Sequence, residues 1–306
     1  MSLSGIPLDP QIKSEKEREG KGEIFYVSTP PPTHTPLPGP YLPKIQTFFL
    51  NELAYLYVLF CLLISVMPFG VTLWYSLLTR GKSPKLTLAN YQYVFGSFLD
   101  SLLLSSRVSL VTLLFNFLIV IPAAYALVRC EFKGKKFVLT LLNVPLYSPA
   151  IILGIGLLLI YHFTYGLYNS FWGLCFGMMV GTFPLMLMPV MVALKDLDKV
   201  YEEAALCLGA SPLYTFFKVT LPLIGPGISA GIILNFVIVW NEFLVTLFIA
   251  GPDYITAPLK VYNQILWFGY QNTTAALAAT LQIISFLALM VYFKLFGSRF
   301  LKGRFF

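Results

Sequence analysis

Six stretches of this sequence stay apolar long enough to cross a lipid bilayer. They cover about residues 52–79, 102–128, 137–163, 168–194, 225–250 and 275–297. The hydrocarbon core is about 30 Å thick, and roughly 20 helical residues span it. No water inside the bilayer can satisfy an open backbone, so segments of this length must be helices. Pro68, Pro122, Pro145, Pro149, Pro184 and Pro189 fall within them. Neighbouring helices and Ser or Thr side chains can satisfy the backbone groups that proline frees. Composition agrees: 57% of residues are hydrophobic and 11% charged, where a soluble domain carries about a quarter charged. The expected fold is an all-α integral membrane protein of six transmembrane helices.

The first 46 residues differ from the rest. A mixed-charge run, KSEKEREGKGE, precedes a proline-rich run, STPPPTHTPLPGPYLPK. Neither can bury a core, so residues 1–46 read as a flexible cytoplasmic tail and residues 47–306 as the membrane domain. The first 45 residues hold no apolar core of a cleavable signal. The net charge of +7 gathers at the ends of apolar runs, which suits lipid headgroups better than nucleic acid. Basic residues crowd the 129–136 loop, the insert after residue 195 and the C-terminal tail. That bias puts both termini in the cytoplasm, although Arg80, Lys82 and Lys85 fall on the other side. The expected location is the bacterial inner membrane, with several passes. Cys61, Cys130, Cys175 and Cys207 form no CxxC pair and read as reduced, packed thiols.

The insert at about 195–222 is too polar to be a span. Asp198 can cap a helix start, with Glu202 and Glu203 near the positive end of its dipole. Ala204 and Ala205 leave the backbone open to close approach. Gly209 can end the helix in the left-handed conformation. Ser211 can cap a second short helix, with Pro212 at its first position, and Pro222 stops that helix. Two short helices meeting at a small-residue elbow make a knob suited to a groove. An ordinary connection lying on the membrane is the plainer alternative.

This stretch, EAALCLGASPLYTFFKVTLP, resembles the EAA loop of permease subunits in type I binding-protein-dependent ABC importers. That pattern has Glu-Ala-Ala, three residues, Gly, nine residues, then Ile-x-Leu-Pro. Glu203, Ala204, Ala205, Gly209, Leu221 and Pro222 match it, and Val219 replaces the isoleucine. The resemblance extends from about residue 87 to 297. It implies that the loop is a coupling helix docked on a separate ATPase subunit, which binds ATP and Mg. It further implies a second homologous permease subunit, two ATPase copies and an extracytoplasmic substrate-binding protein. This chain would bind no cofactor itself. It contains no GxxxxGK[ST] phosphate loop, no metal-ligand cluster and no GxSxG nucleophile, so no enzyme is expected.

CEFKGKKFVLTLLNVPLYSPAII and AGPDYITAPLKVYNQI resemble the spermidine/putrescine permeases, and WNEF resembles sugar permeases. Branches for iron(III) and aminoethylphosphonate are also similar. Glu242, in the middle of the fifth segment, is an ionisable group at a costly depth. It is expected to face a cavity, where a carboxylate beside Trp240 would suit an ammonium group. The alternative is a protonated or helix-bonded, purely structural Glu242. Asn241, Asn235, Tyr147 and Ser148 are the other substrate-path candidates. A self-contained secondary transporter or channel is the rival class. It would usually show inverted repeats or several buried charges.

Overall fold

A computed structural model describes the backbone of residues 44–81, 83–164 and 166–301. The N-terminal tail, apart from its last residues, lies outside the described residues. The chain divides into two compact units, residues 1–61 and 62–306, and the packing described below belongs to the second.

The helices are α1 (Lys44–Ser76), α2 (Ala89–Ser97), α3 (Leu99–Arg129), α4 (Lys135–Tyr147), α5 (Ala150–Phe163) and α6 (Phe171–Asp196). After these come the short α7 (Val200–Cys207), α8 (Pro212–Thr215), a π-helical turn (Phe216–Thr220) and α9 (Leu221–Leu223). The last four are α10 (Gly225–Asn241), α11 (Leu244–Ile249), α12 (Ala257–Phe268) and α13 (Asn272–Leu301). No strand occurs among the described residues.

Four helices are long and apolar enough to span alone, and six spans result if two bent pairs, α4 with α5 and Pro212–Leu223 with α10 at 67°, each count as one. The all-α, six-span expectation therefore holds, but two segments are not straight. α4 and α5 meet at 107°, between Pro145 inside α4 and Pro149 at the start of α5. The fifth segment, expected to be continuous from 225 to 250, is broken at Glu242 and Phe243. Glu242 takes extended backbone, φ −68° and ψ 128°. The expected 251–274 loop also contains a helix, α12.

α3, α6 and α10 form the centre of the bundle. One cluster joins Val120, Ala124 and Leu127 of α3 to Met186, Leu187 and Val190 of α6 and Ile228 of α10. Lipid is as apolar as these side chains, so close approach and polar contacts must hold such helices together. Both are present. A Cβ on Gly227 would collide with Ala193 Cβ and lie 2.6 Å from the Pro189 carbonyl oxygen. A polar seam runs through the same junction. Asn116 donates to Thr182 Oγ1 at 3.0 Å, and Asn235 donates to the Thr182 carbonyl at 3.2 Å. Nearer the other end, Ser105 accepts the Ala257 amide at 2.8 Å, tying α12 to α3.

Candidate functional site

The 195–222 loop folds as two short helices around an elbow, built largely by local rules. Asp198 Oδ1 accepts the Val200 amide at 3.1 Å, so its carboxylate caps the entry to α7. α7 ends in a Schellman motif. Gly209 has φ +86°, its amide donates to Leu206 O at 3.0 Å, and the Ala210 amide reaches Ala205 O at 3.1 Å. Those two bonds satisfy carbonyls that a helix end leaves open. Ser211 Oγ then accepts the Tyr214 amide at 3.3 Å and starts α8, with Pro212 at its first position.

The loop has a dry side and an open side. Glu203, Ala204, Gly209, Ser211, Pro212 and Pro222 are exposed, while Ala205 and Leu221 are half-buried. Around them Tyr201, Leu206, Leu213, Tyr214 and Phe217 are exposed, and Leu208, next to the elbow, is 90% exposed. Apolar groups gathered in this way on a polar segment suit contact with a partner or with the membrane surface.

The dry side holds what the sequence reading missed. Glu202, expected to serve the helix dipole, instead points inward. Its Oε2 lies 3.0 Å from Arg129 Nε, with only 9% of the Arg129 and 11% of the Glu202 side chain exposed. This is a close charge contact and not an aligned bond, because no acceptor lies in line with the Nε–H. Arg129 Nη2 donates to Leu197 O at 2.9 Å. Glu202 Oε1 accepts from Thr220 Oγ1 at 2.8 Å. Beside them, Tyr125 packs edge-to-face on Phe216, with ring centres 5.2 Å apart. Arg129 is one of the basic residues of the 129–136 loop expected to set the membrane orientation. It lies four residues beyond Tyr125 and eight beyond Ile121, so it continues a helix face that is already buried.

The substrate-path candidates do not converge. Trp240 is 2% exposed, stacks on Phe236 at 6.0 Å and donates from Nε1 to Leu281 O at 3.3 Å. It is a core residue, not an open cation-binding face. Asn235 is fully buried and serves the polar seam. The Trp240 indole is committed to a neighbouring helix, whereas only the amide nitrogen of Asn235 is, and its buried Oδ1 has no hydrogen-bond partner among the described residues. Asn241 is exposed and donates to Val237 O at 2.8 Å and to Ser285 Oγ of α13 at 2.9 Å. Glu242 is half-buried at the helix break, where its Oε1 accepts the Val245 amide at 2.9 Å and caps α11. Tyr147 is 79% exposed. With Ser148, Thr140, Asn143 and Met188 it lines an open groove of about 480 Å³ at the α4–α5 bend. Arg107, which the sequence reading also passed over, is exposed within α3. It shares a face with Leu103, Leu110 and Leu114, also exposed, and has no acidic partner among the described residues. Of the cysteines only Cys175 is buried, so the packed-thiol expectation fails for the other three. No His, Cys, Asp or Glu cluster fit for a metal occurs among the described residues.

A family model described as "Binding-protein-dependent transport system inner membrane component" matches residues 116–301. The chain belongs to this family. It is a permease subunit of an ABC importer, a multi-pass inner-membrane protein and a transporter component without an ATPase site of its own. The rival reading as a self-contained secondary transporter falls with that membership. Among its relatives is the spermidine/putrescine transport system permease protein PotC of Escherichia coli K12. The two are 32% identical over 248 residues, covering 76% of this permease and 86% of PotC. The molybdenum transport system permease protein ModB of Haemophilus influenzae is 33% identical over 204 residues, covering 61% of this permease and 89% of ModB. The fold resembles that of a bacterial alginate ABC transporter solved with a periplasmic protein bound to alginate pentasaccharide. The TM-score there is 0.64 at 17% identity, over 85% of this permease and 97% of that chain. An inward-facing MetNI methionine ABC transporter gives 0.56 at 20% identity, over 65% and 94%.

Proposed function

We propose that this permease forms one half of the translocation path of a polyamine importer, and that residues 195–222 are its coupling loop. The similarity to PotC carries the cargo assignment, because it extends over most of both chains. Glu242 supports it. Its carboxylate sits at a break in the fifth segment, only one oxygen is bonded among the described residues, and an ionised carboxylate attracts ammonium groups. The loop assignment rests on the spacing Glu203-Ala204-Ala205, Gly209 and Leu221-Pro222, and on the exposed apolar knob around Leu208.

In this reading a second permease subunit completes the path. Two ATPase subunits, which bind ATP and Mg, seat on the loops, and an extracytoplasmic binding protein delivers the cargo. Both termini face the cytoplasm, the side that holds ATP. Closure of the ATPases pushes on the knob, and the push reaches the spans through whatever ties the loop to them.

A second cargo, an oxyanion, is favoured by one observation besides the similarity to ModB: the exposed Arg107 guanidinium in α3, which has no acidic partner among the described residues. Uptake decides between the two. The permease complex is reconstituted in vesicles with its cognate binding protein, and labelled spermidine, putrescine and molybdate are supplied in turn. ATP-dependent uptake of spermidine or putrescine supports the reading. Uptake of molybdate alone overturns it.

A further inference from the structure

We infer that Glu202 is the joint through which the loop moves the membrane spans, acting as a positioning residue together with Arg129 and Thr220. The inference rests on the coupling-loop reading and adds the route of transmission to it.

Residues 200–209 end in an exposed knob, and a knob alone moves nothing in the membrane. Two polar links leave α7 on its buried side, and both start at the Glu202 carboxylate. Oε2 meets Arg129, the last residue of α3, at 3.0 Å. Oε1 meets Thr220, the last residue of the π turn, at 2.8 Å. α3 lies at the centre of the bundle, and the π turn leads through α9 into α10, another central helix. One side chain thus ties α7 directly to α3 and, by way of the π turn and α9, to the start of α10. Arg129 holds the loop a second time through the Leu197 carbonyl, at 2.9 Å.

The chemistry suits a stiff link. A nearly buried charge pair is costly to open, because separation leaves each ion desolvated without its partner. Apolar contacts such as Tyr125 on Phe216 can slide, whereas an ion pair and a directed hydroxyl bond hold a position. The π turn contributes too. It ends at Thr220, which bonds Glu202, and such turns tend to occur at functional sites. A push on α7 then displaces the ends of α3 and α10 together.

The test uses the full permease complex in vesicles with its binding protein. Glu202→Gln removes the ion pair but keeps an acceptor for Thr220. Thr220→Val removes only the hydroxyl bond. Arg129→Gln with Glu202→Gln leaves no unpaired buried charge, so it guards against simple misfolding. The expected result is a complex that still assembles, while ATP-dependent spermidine uptake per ATP hydrolysed falls by about two- to thirtyfold. The swap Arg129→Glu with Glu202→Arg should restore part of the loss. A cargo-independent readout is the spin-label distance from Lys199→Cys, at the start of α7 and away from the knob, to Leu118→Cys, within α3, with the native cysteines replaced. It should stay constant between the nucleotide-free and vanadate-trapped states, and shift between them once Glu202 is Gln. Wild-type coupling in the double Gln variant, or a distance that already shifts with Glu202 intact, overturns the joint. Leu208→Asp separates the two readings. If it leaves the ATPase bound, the coupling-loop reading itself fails. If it releases the ATPase while the double Gln variant couples normally, only the joint fails.

Discussion

Gly209 isolates one physical requirement of the loop from all others. At φ +86° it occupies the left-handed region, and a Cβ built on it meets nothing within 4 Å. A side chain there is therefore opposed by backbone conformation and not by crowding inside this chain. For most L-residues that conformation costs about 1–2 kcal/mol. Asn tolerates it far better, and a β-branched residue worse. Escape to negative φ would sacrifice the two closing bonds, Gly209 N to Leu206 O and Ala210 N to Ala205 O, each worth about 1 kcal/mol. The penalty for Ala is thus about 1–2 kcal/mol, which lowers the elbow's population relative to an opened loop by about five- to thirtyfold. Transport per ATP in reconstituted vesicles should fall in the order Gly, Asn, Ala, Val, with Gly209→Val uncoupled although the subunit still inserts. Wild-type transport by Gly209→Val would refute the role of the elbow. Asn as poor as Val, in a complex that still assembles, would show that a bare backbone is needed against a partner, and not the left-handed turn.

Other perturbations separate path residues from packing residues. Glu242→Gln keeps an acceptor for the Val245 amide and removes the charge, so complex yield should hold while uptake of labelled spermidine drops; unchanged uptake would leave Glu242 structural. Trp240→Phe loses the bond to Leu281 O and shrinks a fully buried ring, about 1–3 kcal/mol together, so thermal stability should fall with spermidine KM unchanged; a raised KM would return Trp240 to the path. Gly227→Val forces a side chain against Pro189 O and Ala193, an overpacking cost of about 1–3 kcal/mol or more, and should cut the yield of folded complex in gel filtration, whereas normal yield would mean that α6 and α10 can part.

The parts of this molecule that could be read from sequence are those set by local chemistry. Six apolar runs report lipid, because no water is there to satisfy an open backbone. The elbow is equally local: Gly209, Ser211 and Pro212 each act on the chain within three residues of themselves. The reading failed where a residue's partner is distant. Trp240 beside Glu242 looked like a cation site because the two are two residues apart. Yet Trp240 lies in α10 and Glu242 in the break that follows it, with the indole turned to α13 and the carboxylate to α11. Arg129 failed for a related reason. Near the end of a greasy run, in a cluster of lysines, a basic residue usually marks which side of the membrane it is on, and counting it that way uses no information about its neighbours. What sets Arg129 apart is Glu202, 73 residues later and within ion-pair distance only once the loop folds back under α3. A charge that the membrane bias explains well enough can hide a second role. The way to find such roles is to continue the buried face of each span past its last apolar residue and ask which charge still lies on it.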